Sequence, residues 1–116
     1  MLFIIKRLCF SVRALDMAME MLVGLQVVDD VAYQSYREGM TPILEAYGGG
    51  FGYDFKVSDV LKSETEAPMN RVFTIYFASE EVMHSFFSNA EYLEVKKRYF
   101  EKSVTDTTII ATYERK

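Results

Sequence analysis

The chain has little of what small proteins use for covalent or metal chemistry. Its 116 residues include one Cys, one His, two Pro and no Trp. A single Cys excludes an intramolecular disulfide framework. One Cys with one His cannot supply a four-ligand zinc site, so no metal is expected. No G-x-S-x-G elbow occurs, which argues against a Ser-His-Asp hydrolase. No stretch approaches the roughly 20 apolar residues that a membrane span needs. What remains is a chain that is 50% hydrophobic and 15% aromatic, with eight Tyr, nine Phe and a net charge of −4. Its apolar content is too high, and its charge too low, for a disordered chain. The length suits one domain with a core of its own.

The charge is unevenly spread. Residues 1–20 carry Lys6, Arg7 and Arg13 against Asp16 and Glu20, a surplus of +1 that leaves −5 on residues 21–116. No acid occurs before Asp16. Lys6 and Arg7 interrupt what would be the apolar run of a secretory signal. The segment is basic, acid-free and amphipathic in the manner of an organelle transit peptide. Met17, Met19 and Met21 precede the first strand-like run, and each is a candidate start. Residues 1–20 are therefore expected to be an N-terminal extension, arising from start-codon choice, from loose packing or from targeting. Residues 21–116 are expected to be the domain. Cys9 lies in the extension and receives no catalytic role. A cytoplasmic location is the expectation.

Residues 21–28 form a short apolar run ended by Asp29 and Asp30, which reads as a mostly buried strand with an Asp N-cap after it. Tyr33, Tyr36, Met40, Ile43, Leu44 and Tyr47 then recur at helical spacing, with Gln34, Arg37, Glu38, Thr41 and Glu45 off that face. Pro42 predicts a kink or break near residues 39–41. The glycines at 48–50 and 52 invite a phosphate-loop reading. They follow a helix and open a strand, the reverse of a phosphate loop, so a glycine C-cap is expected. Residues 51–61 alternate Phe51, Tyr53, Phe55 and Val57 with Gly52, Asp54, Lys56 and Ser58, a two-faced strand. Residues 62–70 form a polar turn and residues 71–78 a second alternating strand. Ser79 caps a helix buried through Val82, Met83, Phe86 and Phe87. Ser88 and Glu91 read as a capping box that restarts a helix through Phe100. Residues 104–113 close the chain as a strand.

The order β-α-β-β-α-β describes an α+β, ferredoxin-like sandwich, with the helices on one face of a four-stranded antiparallel sheet. The other face would hold Leu22, Gly24, Gln26 and Val28 from the first strand and Val72, Thr74 and Tyr76 from the third. No layer is left to cover it, so two copies are expected to pack sheet to sheet as a homodimer.

Three segments carry a family resemblance. They are Tyr33-Gln34-Ser35-Tyr36 with Pro42 and Tyr47-Gly48-Gly49, residues 71–79, and Phe86-Phe87-Ser88-Asn89-Ala90-Glu91-Tyr92. Together, across residues 21–115, the chain resembles the DUF1330 family, although many members carry Trp where Phe86 stands. The resemblance implies a dimeric α/β barrel of ferredoxin-like subunits and brings no reaction with it.

Chemistry is sparse. His84 is the one residue that titrates near neutrality, but it lies off the buried helix face and reads as solvent-exposed. Tyr33, Tyr36 and Tyr47 read either as core or as the lining of a ligand pocket. Gln26, Asp54, Lys56, Thr74 and Tyr76 would converge between two sheets if they share the face away from the helices. Asp54 would then be a base and Tyr76 a donor, or Asp54 and Lys56 would protect an edge strand. The candidate ligand site is Gln26, Tyr36, Asp54, Thr74 and Tyr76, with no cofactor. Residues 71–77 lack the Gly-aromatic pattern of RNA-recognition modules, and a −5 domain opposes phosphate binding, so no nucleic-acid partner is expected. Two functions stand. One is a homodimer that binds a small, partly apolar molecule and acts on it without metal. The other is a non-catalytic binding or interaction module.

Overall fold

Strand β1 (Met19–Val27) opens the fold, two residues ahead of its expected start, because Met19 and Glu20 already pair with Phe77 and Tyr76. The computed structural model describes residues 17–115. Cys9 and the basic residues Lys6, Arg7 and Arg13 lie outside the described residues. Helix α1 (Asp30–Ala46) follows, then β2 (Gly50–Lys56), β3 (Arg71–Phe77) and α2 (Glu80–Ser88). A third helical segment runs from α3 (Ala90–Val95) through a π turn (Lys96–Phe100) and a closing turn (Glu101–Ser103) into β4 (Val104–Glu114). The strands form one sheet in the order β2-β3-β1-β4, antiparallel throughout. Among the described residues no helix is long and apolar enough to cross a membrane.

Residues of odd number in β1 and β3 face the helices. Val23, Leu25, Val27, Phe73, Ile75 and Phe77 are buried there against Tyr33, Tyr36, Met40 and Leu44 of α1 and against Phe86 and Tyr92. Phe86 is fully buried among the rings of Phe77, Phe87, Tyr92 and Tyr47. An aromatic side chain so placed contributes roughly 1.5–3 kcal/mol of transfer free energy.

The helix ends follow local chemistry. Asp29 caps α1 by accepting from the Ala32 N–H, and Ser79 caps α2 by accepting from Val82. Gly48, at φ +81°, ends α1 as expected of a glycine C-cap. Its N–H donates to the Glu45 carbonyl and the Gly49 N–H to Leu44, which satisfies two orphan carbonyls. Three local expectations are corrected. First, α1 runs unbroken through Pro42. Pro42 deletes one N–H, but it sits on the exposed side, where water can reach the freed carbonyl. Second, Asn89, not Ser88, restarts the third helical segment, because its side chain accepts from the Tyr92 N–H while the Ser88 hydroxyl donates back to the His84 carbonyl. Third, β2 ends at Lys56 rather than at residue 61. Its partner β3 begins at Arg71, opposite Lys56, so nothing remains for residues 58–61 to pair with.

The stretch 57–70 instead forms an arm. Asn70 ties its end to β1, accepting from the Val27 N–H and donating to the Val27 carbonyl, both at 2.8 Å. The Met69 thioether lies over Gly24, in the space a Cβ there would occupy. The sheet face away from the helices is therefore partly covered by the chain itself, which the sequence reading did not anticipate. Elsewhere that face still presents Ile110, Tyr53 and Phe55, all exposed.

Candidate functional site

A cavity of about 280 Å³ lies between the helices and the sheet. Its floor crosses all four strands: Phe51 from β2, Phe73 and Ile75 from β3, Met21, Val23 and Leu25 from β1, and Thr107 and Ile109 from β4. Its roof is Tyr33, Tyr36, Arg37 and Met40 of α1, with Phe87, Tyr92, Lys96 and Phe100 beyond. Thr107 and Ile109 are exposed, so the cavity meets solvent along β4. Lys96 and Phe100 bound the π turn, a local widening of the helix that often marks functional positions.

Two polar groups interrupt the apolar wall. The first is a pair of hydroxyls: Tyr36 Oη and Tyr92 Oη stand 2.9 Å apart, both buried. Burial pushes both phenols above the ordinary tyrosine value. The second is Arg37. Its Nε donates to Tyr33 Oη at 2.8 Å, and its guanidinium carbon lies 3.8 Å from the centre of the Phe51 ring. Its Nη1 is 3.3 Å from Asp54 Oδ2, while its Nη2 is buried without a hydrogen-bond partner. Asp54 is also gripped by Arg71, whose Nε and Nη2 donate to its two oxygens, each at 2.8 Å. Partial burial works to raise the Asp54 pKa, but the Arg71 hydrogen bonds and the charges of Arg37 and Arg71 outweigh it and hold the carboxyl below its usual range. Burial likewise raises the Tyr33 phenol, against the pull of Arg37.

Asp54 reaches this cluster because of a bulge. Phe51 pairs with Ile75 and Asp54 with Phe73, so Gly52 and Tyr53 together oppose the single residue Thr74. The extra residue reverses the facing of everything after it. The spare Tyr53 N–H donates to Thr74 Oγ1 at 2.8 Å.

The five residues singled out from sequence are thus not brought together. Tyr36 lines the cavity. Asp54 and Lys56 stand on the helix side, Asp54 at the cavity's β2 end. Gln26, Thr74 and Tyr76 face the other way. Gln26 lies opposite Asp106, Thr74 serves the bulge, and Tyr76 is capped by the Arg115 guanidinium at 3.8 Å. Asp54 and Tyr76 therefore cannot act as a base and donor pair, since the sheet separates them. His84 is 72% exposed and 3.9 Å from Glu80, the solvent histidine expected. Among the described residues no group of acidic, His or Cys side chains is placed to hold a metal.

The sequence model of DUF1330, a domain of unknown function, matches residues 21–113. The chain belongs to the DUF1330 family. No curated protein matches it. Among solved structures, this DUF1330 chain is similar to RPA0582, a protein of unknown function from Rhodopseudomonas palustris. The two share 18% identity and a TM-score of 0.72, over 95% of this chain and 92% of that one. It is similar to a Dabb family protein with a ferredoxin-like fold from Mesorhizobium loti, at 12% identity and a TM-score of 0.60, over 85% and 97%. It is also similar to SnoaB, a cofactor-independent oxygenase from Streptomyces nogalater, at 9% identity and a TM-score of 0.57, over 86% and 94%. At these identities the likeness is one of fold, and the fold is the ferredoxin-like one expected.

Sequence reasoning missed Arg37, Arg71 and Lys96 in this DUF1330 site. A signal for Arg37 was present. Residues 33, 36, 37, 40 and 44 form one stripe at helical spacing, and Arg37 sits inside it rather than off its face. Arg71 offered a weaker signal, sharing the odd-numbered side of its strand with Phe73, Ile75 and Phe77.

Proposed function

We propose that this DUF1330 protein is a cytoplasmic homodimer whose subunits each bind a small, largely apolar molecule in the cavity between helices and sheet. The cavity carries the proposal. At about 280 Å³ it sits near the lower end of small-molecule sites, which are mostly apolar with a few fixed polar groups. The Tyr36–Tyr92 hydroxyl pair and Arg37 are those groups here.

Its titratable groups favour binding over acid–base chemistry. Tyr33, Tyr36 and Tyr92 are shifted up by burial and Asp54 is held down by two arginines, so none is poised near neutrality. Turnover by cofactor-free oxidation would rest on a fold shared with SnoaB alone, and fold does not carry function. The binding reading is therefore preferred to the enzymatic one.

The homodimer is supported by the sheet face opposite the cavity. Exposed Tyr53, Phe55 and Ile110 there leave apolar surface that a second copy would bury. Native mass spectrometry of protein purified from its own host tests the dimer and the occupied cavity. The expected spectrum is a dimer that retains a small organic mass released on denaturation. A monomer at micromolar concentration would overturn the dimer. A ligand-free spectrum, together with no binding of small apolar probes, would overturn the cavity.

A further inference from the structure

We infer that the occupant of the cavity is a small organic carboxylate whose anionic group pairs with the Arg37 guanidinium; this rests on the cavity reading above. The argument begins with charge. Arg37 and Arg71 share one carboxylate, Asp54. The cluster therefore carries a surplus of one positive charge beside an apolar space. Asp30 also acts on Arg71 from a distance. Lys96 adds a second cation to the cavity wall.

Donor geometry comes next. The side chain of Arg37 is 12% exposed and its donors are nearly all engaged: Nε on Tyr33, Nη1 on Asp54, the flat face on Phe51. These contacts hold the guanidinium in one orientation. Only Nη2, buried, has no acceptor. The protein's own groups thus leave the guanidinium short of acceptors, and a carboxylate in the cavity would meet a cation already oriented. At the Arg37 end, the cluster's surplus of one charge suits a monoanion. A phosphate dianion would exceed the charge at that end, and among the described residues neither a glycine loop nor a helix N-terminus lines the cavity there to make up the difference.

Placement completes the case. Arg37 stands over Phe51 of β2, whereas the cavity meets solvent at β4, on the far edge of the sheet. Three interstrand spacings of about 4.8 Å separate these strands by about 14 Å. The wall between them is Ile75, Val23, Leu25 and Phe100. An elongated molecule with an acid head and an apolar body would match it end to end.

Isothermal titration at pH 7 with cinnamate and octanoate, each against its neutral amide, tests the inference in the full-length protein. The expected result is at least tenfold tighter binding of the acids. Arg37→Met should reduce that preference to within about threefold, with the amides still bound. Lys96→Met should leave most of it. Should Arg37→Met fail to fold, Arg37→Lys replaces it and should weaken the acids severalfold while sparing the amides. Equal affinity of acid and amide for the unmutated protein would overturn the inference and leave the cavity reading standing. A preference lost in Lys96→Met but kept in the Arg37 variants would also overturn it. No binding of acid or amide would overturn both.

Discussion

The buried hydroxyl pair offers the sharpest test of the site's architecture. Tyr36 and Tyr92 are 6% and 4% exposed, and their oxygens lie 2.9 Å apart. Tyr36→Phe removes one oxygen and keeps the ring, which still packs on Phe100 at 4.9 Å and Tyr33 at 5.8 Å. The loss therefore arises from the polar group left behind: Tyr92 Oη, stranded in an apolar wall, at about 1–3 kcal/mol. Tyr92→Phe should cost about the same for the converse reason. The double variant strands nothing, and replacing both partners of a buried hydrogen bond by matching apolar groups is close to neutral. The two losses should thus cancel rather than add, with a coupling energy whose size is the sum of the two single losses, about 2–6 kcal/mol. Urea unfolding followed by circular dichroism reads this directly, since the chain has no Trp to report by fluorescence. Protein concentration must be held fixed, because association would stabilise the folded state by mass action. Each single variant should also melt roughly 4–8 °C lower per kcal/mol lost. If the single losses sum to the double within about 0.5 kcal/mol, the hydroxyls do not depend on one another and the argument fails.

Three further outcomes follow from the same structure. Asp54→Asn should destabilise at neutral pH. Because the folded carboxyl is held below its usual value, its contribution is present above the unfolded pKa of about 3.9 and fades as pH falls through the lower folded value. The gap between wild type and variant should therefore close in acid urea titrations, and a gap constant with pH would refute the ion-pair account. Gly39→Ala would set a Cβ 2.9 Å from Val95 Cγ1, where α1 meets α3. The helix gain of about 1 kcal/mol should be offset by overpacking of roughly 1–3 kcal/mol, so a higher melting temperature would count against that packing. Thr74→Val keeps the shape but strands the Tyr53 N–H, at about 1 kcal/mol, and hydrogen exchange at Tyr53 should accelerate more than at its neighbours. Unchanged protection there would mean that Thr74 does not secure the bulge.

Much of the fold was legible because periodicity is a local property. The alternation of Phe73, Ile75 and Phe77 and the stripe of Tyr33, Tyr36, Met40 and Leu44 each define a face without reference to any partner. Their order then leaves few topologies. What failed was set by pairing between distant segments. The end of β2 depends on where β3 begins, which residues 51–61 do not encode. The bulge depends on Thr74, more than twenty positions away. Gly52 inside a strand pattern was its one local trace, since such a glycine often marks a bulge. The site suffered most. A parity error of one residue moved Asp54 to the wrong side of the sheet and concealed its meeting with Arg37 and Arg71. Arg37 was set aside as a solvent residue because charge outweighed its place in the stripe. The arm was missed for a related reason: Met69 is an unremarkable residue of a polar turn until Gly24 leaves room for it.

The extra residue at Gly52–Tyr53 has a consequence for engineering. Which functional group lines the β2 end of the cavity is decided there by a count of residues rather than by their identity. Flattening the bulge at unchanged chain length alters no side chain, yet it would hand the Asp54 carboxylate to the opposite surface and turn Phe55 inward in its place, whereas deleting Gly52 removes the bulge and leaves Asp54 two positions after Phe51, on the cavity side. A polar terminus would become an apolar one by a change of phase, and the character of that end is therefore encoded in whether one residue is held out of the ladder.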